Sequence, residues 1–165
     1  MSDTAMIGSL SAGPVITSGE NGGVAPKVAA DVLGMVIPSP DMTCGFGVVT
    51  DWTATGEPGT APFNFAARAS FGYQLFKEKN HRSSLNVGAD ADAGGEILNQ
   101  QLGPLVRAAV DVSTIFLLDL DANGSFPLIV QLQGGRNFME RKSHSVFGST
   151  SSNFVVLTVG ALFYL

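Results

Sequence analysis

The stretch Phe63-Asn64-Phe65-Ala66-Ala67-Arg68-Ala69-Ser70-Phe71-Gly72-Tyr73-Gln74-Leu75 decides the fold class. Its odd positions are Phe63, Phe65, Ala67, Ala69, Phe71, Tyr73 and Leu75, and its even positions are Asn64, Ala66, Arg68, Ser70, Gly72 and Gln74. Side chains alternate between the two faces of a β-strand, so this period of two predicts one wholly apolar face with aromatics near both ends and one polar or small face. Helical spacing would mix the two sets. A strand that crosses hydrocarbon needs about 9–11 residues, an apolar outer face, and aromatics where hydrocarbon meets headgroups. This stretch has all three.

Reading outward from it, the segments downstream repeat the alternation. Leu85, Val87, Ala89 and Ala91 oppose Ser84, Asn86, Gly88, Asp90 and Asp92. Val106, Ala108, Val110, Val112, Phe116 and Leu118 oppose Arg107, Ala109, Asp111, Ser113 and Asp119, although Ile115 and Leu117 blur the second face. Phe126, Leu128, Val130 and Leu132 oppose Ile129, Gln131, Gln133 and Asn137, and the chain ends with Val155, Leu157, Val159, Ala161, Phe163 and Leu165 on one parity. Across these segments the charged residues are expected on the less apolar face. Upstream the contrast is weaker. Cys44, Phe46, Val48 and Trp52 oppose Asp51 and Thr53; residues 24–37 place Lys27 and Asp31 on one parity, but Val28–Val36 also fits a short helix; residues 5–17 form a weak strand containing Gly13 and Pro14. The strands expected are 5–17, 24–37, 43–54, 63–76, 84–93, 104–118, 126–139 and 153–165.

The links between them alternate in length. Ser18–Gly23, Thr55–Pro62, Gly94–Gly103 and Glu140–Ser152 are long or rich in Gly and Ser, whereas Pro38–Met42, Lys77–Ser83 and Asp121–Gly124 are shorter. Asn123-Gly124 is a hairpin signal, because both residues tolerate positive φ. This alternation is that of an up-and-down barrel in a bilayer. The expected architecture is therefore a single all-β domain over residues 1–165, an antiparallel up-and-down barrel of about eight strands, with a β-sandwich or jelly roll as the alternative.

Composition narrows the function classes. Charged residues are 14% of the chain, against roughly 25% in an average soluble domain. The net charge of −5 and the pI near 4.8 exclude a basic footprint for nucleic acid. Cys44 is the one cysteine, so neither an intrachain disulfide nor a cysteine-rich zinc site is expected. Met1-Ser2-Asp3 is not followed by a basic region and an apolar stretch, so no signal peptide is visible; the chain then stays in the compartment of its synthesis or is a processed form.

The last strand, Thr158-Val159-Gly160-Ala161-Leu162-Phe163-Tyr164-Leu165, resembles the C-terminal β-signal of bacterial outer-membrane proteins. That signal runs polar–x–Gly–x–x–hydrophobic–x–hydrophobic; Thr158, Gly160, Phe163 and Leu165 match it, and Leu replaces the usual terminal Phe. The resemblance covers the last strand and the alternation over roughly residues 43–165. Small members of that group are eight-stranded barrels with packed polar interiors that act as adhesins, anchors, lipid-modifying enzymes or narrow pores. It implies a non-enzymatic outer-membrane barrel with a structural, anchoring or interaction role, located in the bacterial outer membrane with the lipid bilayer as partner. The alternative is a β-rich structural subunit of a phage particle or other large assembly, located in a virion and partnered by neighbouring subunits. Phe63, Phe65, Phe71, Tyr73, Phe163 and Leu165 are the residues expected to face lipid or a partner.

Few motifs offer chemistry. Asp90-x-Asp92-x-Gly94-x-Glu96 places two carboxylates on one strand face, about 7 Å apart, where they repel unless a cation lies between them. Arg68 and Arg107 share the matching parity on the adjacent strands, so Arg68, Asp90, Asp92, Arg107 and Asp111 are expected to form an interior ion-pair network rather than a metal site. Asp119-x-Asp121-x-Asn123-Gly124 looks like the start of a calcium loop, but the position that must supply a bidentate Glu is Val130, and a hairpin turn accounts for the residues. His81-x-Ser83 faintly resembles the His/Ser pairing of outer-membrane lipid A deacylases; it sits in a basic link and reads as a solvated turn, as does His144 in a Ser-rich loop. No nucleophile elbow, P-loop or dinucleotide fingerprint is present. No catalytic residue, metal, cofactor or small-molecule ligand is assigned.

Overall fold

The computed structural model describes residues 3–18, 23–54, 61–79, 82–98, 100–119, 125–141 and 149–165. They form eight strands: β1 (Asp3–Thr17), β2 (Gly23–Ser39), β3 (Met42–Thr53), β4 (Phe63–Lys77), β5 (Ser83–Leu98), β6 (Gln101–Asp119), β7 (Ser125–Arg141) and β8 (Ser149–Tyr164). Each pairs antiparallel with the next, and β1 pairs with β8, which closes the barrel. The chain is all-β and up-and-down, and the open sandwich is not what it forms.

Closure needs a stagger. Crossing the register from Ala5 through Met35, Gly45, Ser70, Asp90, Ala109, Gly135 and Phe154 leads back to β1 at Thr17, well beyond the start. A shear this large tilts the strands steeply against the axis and widens the lumen. Both chain ends and the links after β2, β4 and β6 lie at one rim, here the terminal rim. The links after β1, β3, β5 and β7 lie at the other, the loop rim.

The sequence reading departs from the structure in three places. Val28–Val36 is strand rather than helix, inside β2. Gly94–Gly103 is not a long loop: β5 runs on to Leu98 and β6 starts at Gln101, with the reversal at Gln100, whose φ is +62°. Gly94 lies inside β5, where a Cβ would run into the Phe65 carbonyl, so glycine lets β4 approach β5 closely. Third, Arg136, expected with the other charges on the less apolar face, lies at an outward position of β7, pairs with Ala108 and Asn153, and is exposed. The hairpin signal Asn123-Gly124, Asp121, His81 and His144 lie outside the described residues. Val130 lies within β7.

The β1–β8 seam decides whether the sheet has edges. The Leu165 N–H donates to the Met6 carbonyl at 3.0 Å at the terminal rim, and the Ser18 N–H donates to the Asn153 carbonyl at 2.9 Å at the loop rim. Between them the pairing skips Gly13 and Pro14. Pro14 has no N–H to give, and a Cβ on Gly13 would strike the Leu157 carbonyl. The residues that made β1 a weak strand in the sequence are those that fit the seam. Deleting Phe163–Leu165 removes the pairs Phe163–Gly8 and Tyr164–Ile7 and the terminal bond to Met6. The expected outcome is loss of the compact, heat-modifiable species on a detergent gel; a truncated chain that folds like the full one would show the seam to be dispensable.

Candidate functional site

The lumen is where the charged residues gather. Inward positions of β2 through β7 contribute Lys27 and Asp31, Asp51, Asn64 and Arg68, Asp90 and Asp92, Arg107, and Gln133, and the register brings them level with one another. Arg68 lies opposite Asp92, Asp92 opposite Arg107, and Asp51 opposite Asn64.

Asp92 is the hub. Arg68 donates to both of its oxygens, Nε to Oδ1 at 2.7 Å and Nη2 to Oδ2 at 2.9 Å, a two-pronged contact that suits the planar guanidinium. Arg107 Nε donates to the same Oδ2. The network leaves this hub in two directions. Toward the loop rim, Arg107 Nη1 lies 2.6 Å from Asp51 Oδ2, Lys27 Nζ lies 3.3 Å from the same oxygen, and Asn64 Nδ2 donates to Asp51 Oδ1 at 2.8 Å. Toward the terminal rim, Arg68 Nη1 lies 3.5 Å from Asp31 and 3.8 Å from Asp90, and Gln133 Nε2 donates to Asp90 at 2.9 Å. Lys27 also sits 6.0 Å from the Phe154 ring centroid, which ties the network to β8.

These charges are deeply enclosed: Asp51 is 2% exposed, Asp92 4%, Arg107 7% and Arg68 9%. Small apolar clusters wedge them in place. Val15, Ala109, Phe154 and Val156 pack on one side, and Val49, Ala66 and Leu105 on the other. An isolated ion there would carry several kcal/mol of desolvation, so each charge persists because it is paired. Glu96 is buried on the loop-rim side, opposite Asn64.

The structure thus brings Arg68, Asp90, Asp92 and Arg107 into one cluster. Asp111 stands beside it: its carboxylate overhangs Gly88, where a Cβ would come within 2.5 Å of Oδ2, and its cross-strand neighbour is Gln133. Sequence reading alone did not assign Lys27, Asp31, Asp51, Asn64 or Gln133 to the network. A signal for them existed, since each holds the inward parity of its own strand. Among the described residues, no group of three or more His, Cys, Asp and Glu side chains is arranged to hold a metal ion.

The outer surface is the reverse of the lumen. Phe63, Phe65, Phe71, Tyr73, Phe163 and Leu165 are all exposed on it. With them stand Met6, Leu10, Val32, Phe46, Val48, Trp52, Val110, Leu132, Leu157 and Val159. Cys44 is exposed on the same face. Phe126 and Phe163 meet edge to face near the terminal rim, with ring centroids 6.3 Å apart. Trp52 pairs with Phe63 near the loop rim. The apolar face is therefore bordered by aromatics at both ends.

Among solved structures, the fold of this chain is similar to the crystal structure of Neisserial surface protein A, with a TM-score of 0.61 over 99% of both chains at 12% sequence identity. At that identity the likeness carries the closed barrel and nothing about ligands. No protein-family model matches the sequence, and no curated protein matches it.

Arg107 gives the network a direct test. Replacing it by Leu leaves Asp51 and Asp92 short of a partner inside the lumen, and removal of one member of a buried pair costs about 3–5 kcal/mol. Equilibrium urea unfolding of R107L in lipid vesicles should show a loss on that scale. An unchanged midpoint would contradict the pairing.

Proposed function

We propose that this chain is an integral β-barrel of the bacterial outer membrane, without enzyme chemistry, whose role is structural, anchoring or interaction. One observation carries the reading: the distribution of polarity is inverted relative to a protein that folds around an apolar centre. Large apolar side chains stand exposed around the whole barrel, while Lys27, Asp31, Asp51, Arg68, Asp90, Asp92, Glu96, Arg107 and Asp111 hold inward strand positions. Soluble monomers rarely expose a contiguous apolar patch beyond a few hundred Å². An apolar belt encircling a closed sheet is what hydrocarbon demands, because every backbone polar group must find its partner within the protein.

Three further points support it. The barrel shares its architecture with Neisserial surface protein A. The last strand ends in the pattern of Thr158, Gly160, Phe163 and Leu165 that resembles an outer-membrane β-signal. The links after β3 and β7 at the loop rim span Thr53 to Phe63 and Arg141 to Ser149, whereas β2 and β3 at the terminal rim are joined between Ser39 and Met42. The link after β5 at the loop rim is short, between Leu98 and Gln101, but the two longest links both lie at that rim, which fits an outward-facing interaction surface there.

The network bears on transport. Its side chains reach across the lumen from β2 to β7, and an ion entering it would have to displace paired charges. The lumen therefore serves as a packed plug, not a channel. Purified chain should need detergent, migrate differently on a gel before and after boiling, and give no unitary current in a planar bilayer. Recovery as a soluble oligomer without detergent would instead favour the assembly-subunit reading, and steady unitary currents would contradict the plug.

A further inference from the structure

Arg136 is an exposed charge at an outward position of β7, between outward Ala108 and Asn153, and its position is specific. Outward positions of β7 from the terminal rim read Phe126, Leu128, Val130, Leu132, Gly134, Arg136 and Phe138. On β8 the matching outward series is Phe163, Ala161, Val159, Leu157, Val155, Asn153 and Ser151. A strand needs about 9–11 residues to cross hydrocarbon, and the run from Phe163 to Asn153 covers that length. Arg136 and its cross-strand partner Asn153 thus fall at the level where hydrocarbon gives way to headgroups.

Two features make this more than a surface arginine. Arg136 Nη2 donates to Ser151 Oγ at 3.1 Å, which turns the guanidinium toward β8, beside the Asn153 amide. A guanidinium has five N–H donors, more than one hydroxyl can accept, and the flanking outward position on β6 is the uncharged Ala108. The outward position on the terminal-rim side is Gly134, where an added Cβ would meet nothing within 4 Å. Gly134 is flanked by Val110 and Val155, so the barrel surface carries an apolar notch directly beneath the charge.

From these placements we infer a binding site for an anionic membrane lipid, with its phosphate on Arg136, Ser151 and Asn153 and an acyl chain lying in the Gly134 notch. The inference rests on the bilayer reading given above. Guanidinium and phosphate match in charge and geometry, and the notch lets a chain lie against the backbone instead of riding over a side chain. Apolar belt and phosphate donors meet only as a lipid is built, with its charge directly above its chain.

Fluorescence quenching in vesicles tests this. A tryptophan at position 138 (F138W in a W52F background) reports on the site, and the native Trp52 on β3 reports on a distant part of the belt. In phosphatidylcholine vesicles containing increasing brominated phosphatidylglycerol, the reporter at position 138 should prefer the anionic lipid about fivefold, the scale of one basic side chain at a charged membrane surface. Trp52 should show no preference. R136Q should abolish the preference while retaining heat-modifiable migration, and G134L should reduce it by filling the notch. The preference should persist with inorganic phosphate present at equal ionic strength; its loss there would mean a soluble-anion site and overturn the lipid assignment. Equal preference at both reporters, or a preference untouched by R136Q, would also overturn it. Absence of quenching at both reporters by brominated phosphatidylcholine would remove the bilayer reading itself, and this inference with it.

Discussion

The structure depends on a single requirement: each strand must have a hydrogen-bonded neighbour on both sides. An open sheet of this composition would carry two unpaired edges beside large apolar side chains, the combination that drives edge-to-edge aggregation. The β1–β8 seam removes both edges. It does so with strands of opposite character. β8 is a regular alternating strand that ends in Leu162, Phe163, Tyr164 and Leu165, whereas β1 is rich in small residues and interrupted by Gly13 and Pro14. The seam tolerates that interruption because its bonds resume on either side and are fixed at both rims by Met6–Leu165 and Ser18–Asn153.

Once the sheet is closed, the fate of the charges follows. If the outer surface meets hydrocarbon, as proposed, it cannot carry them along the crossing, and the lumen can carry them only in pairs. The chain resolves this by threading acids and bases on neighbouring strands so that the register itself makes the pairs. Arg68, Asp92 and Arg107 are successive cross-strand neighbours. Such a network stabilises the barrel less than an apolar filling of equal volume would, but it fixes register: a slip of one residue on β5 would turn Asp90 and Asp92 outward. On the bilayer reading, Arg136 can stand outward because it lies at the end of the crossing.

How much of this could be read from the sequence followed from the contrast between the two faces. β4 was legible because its outer face is aromatic and its inner face carries Arg68 and Gln74. β7 and β8, and β5 up to Ala93, were legible because an apolar face opposes a polar one. β2 was ambiguous for a physical cause: near the terminal rim its inward residues are Leu33, Met35 and Ile37, so both faces are apolar and the period of two disappears. Ile115 and Leu117 blur β6 in the same part of the lumen. β1 was weak because small residues and the Gly13-Pro14 pair interrupt both its faces between Met6, Leu10 and Ile16 outward and Ile7 and Val15 inward. The Gly94-Gly95 pair was misread as a loop because a glycine that admits a neighbouring strand looks, in sequence, like one that breaks its own. Pairing partners beyond nearest strands were not legible: Arg68 with Asp31, or Arg107 with Asp51, are contacts across a lumen whose stagger no local pattern encodes.

The central claim is that one face of every strand meets hydrocarbon while the other is enclosed, and β4 offers the cleanest place to measure it. With Cys44 replaced by Ser, nitroxide labels placed singly at positions 65 through 72 in vesicles would report access to oxygen, which concentrates in lipid, and to a water-soluble nickel chelate. The account predicts high oxygen access and low chelate access at positions 65, 67, 69 and 71, with restricted access to both reagents at 66, 68, 70 and 72. Chelate access at the odd positions, or a profile without the period of two, would contradict it.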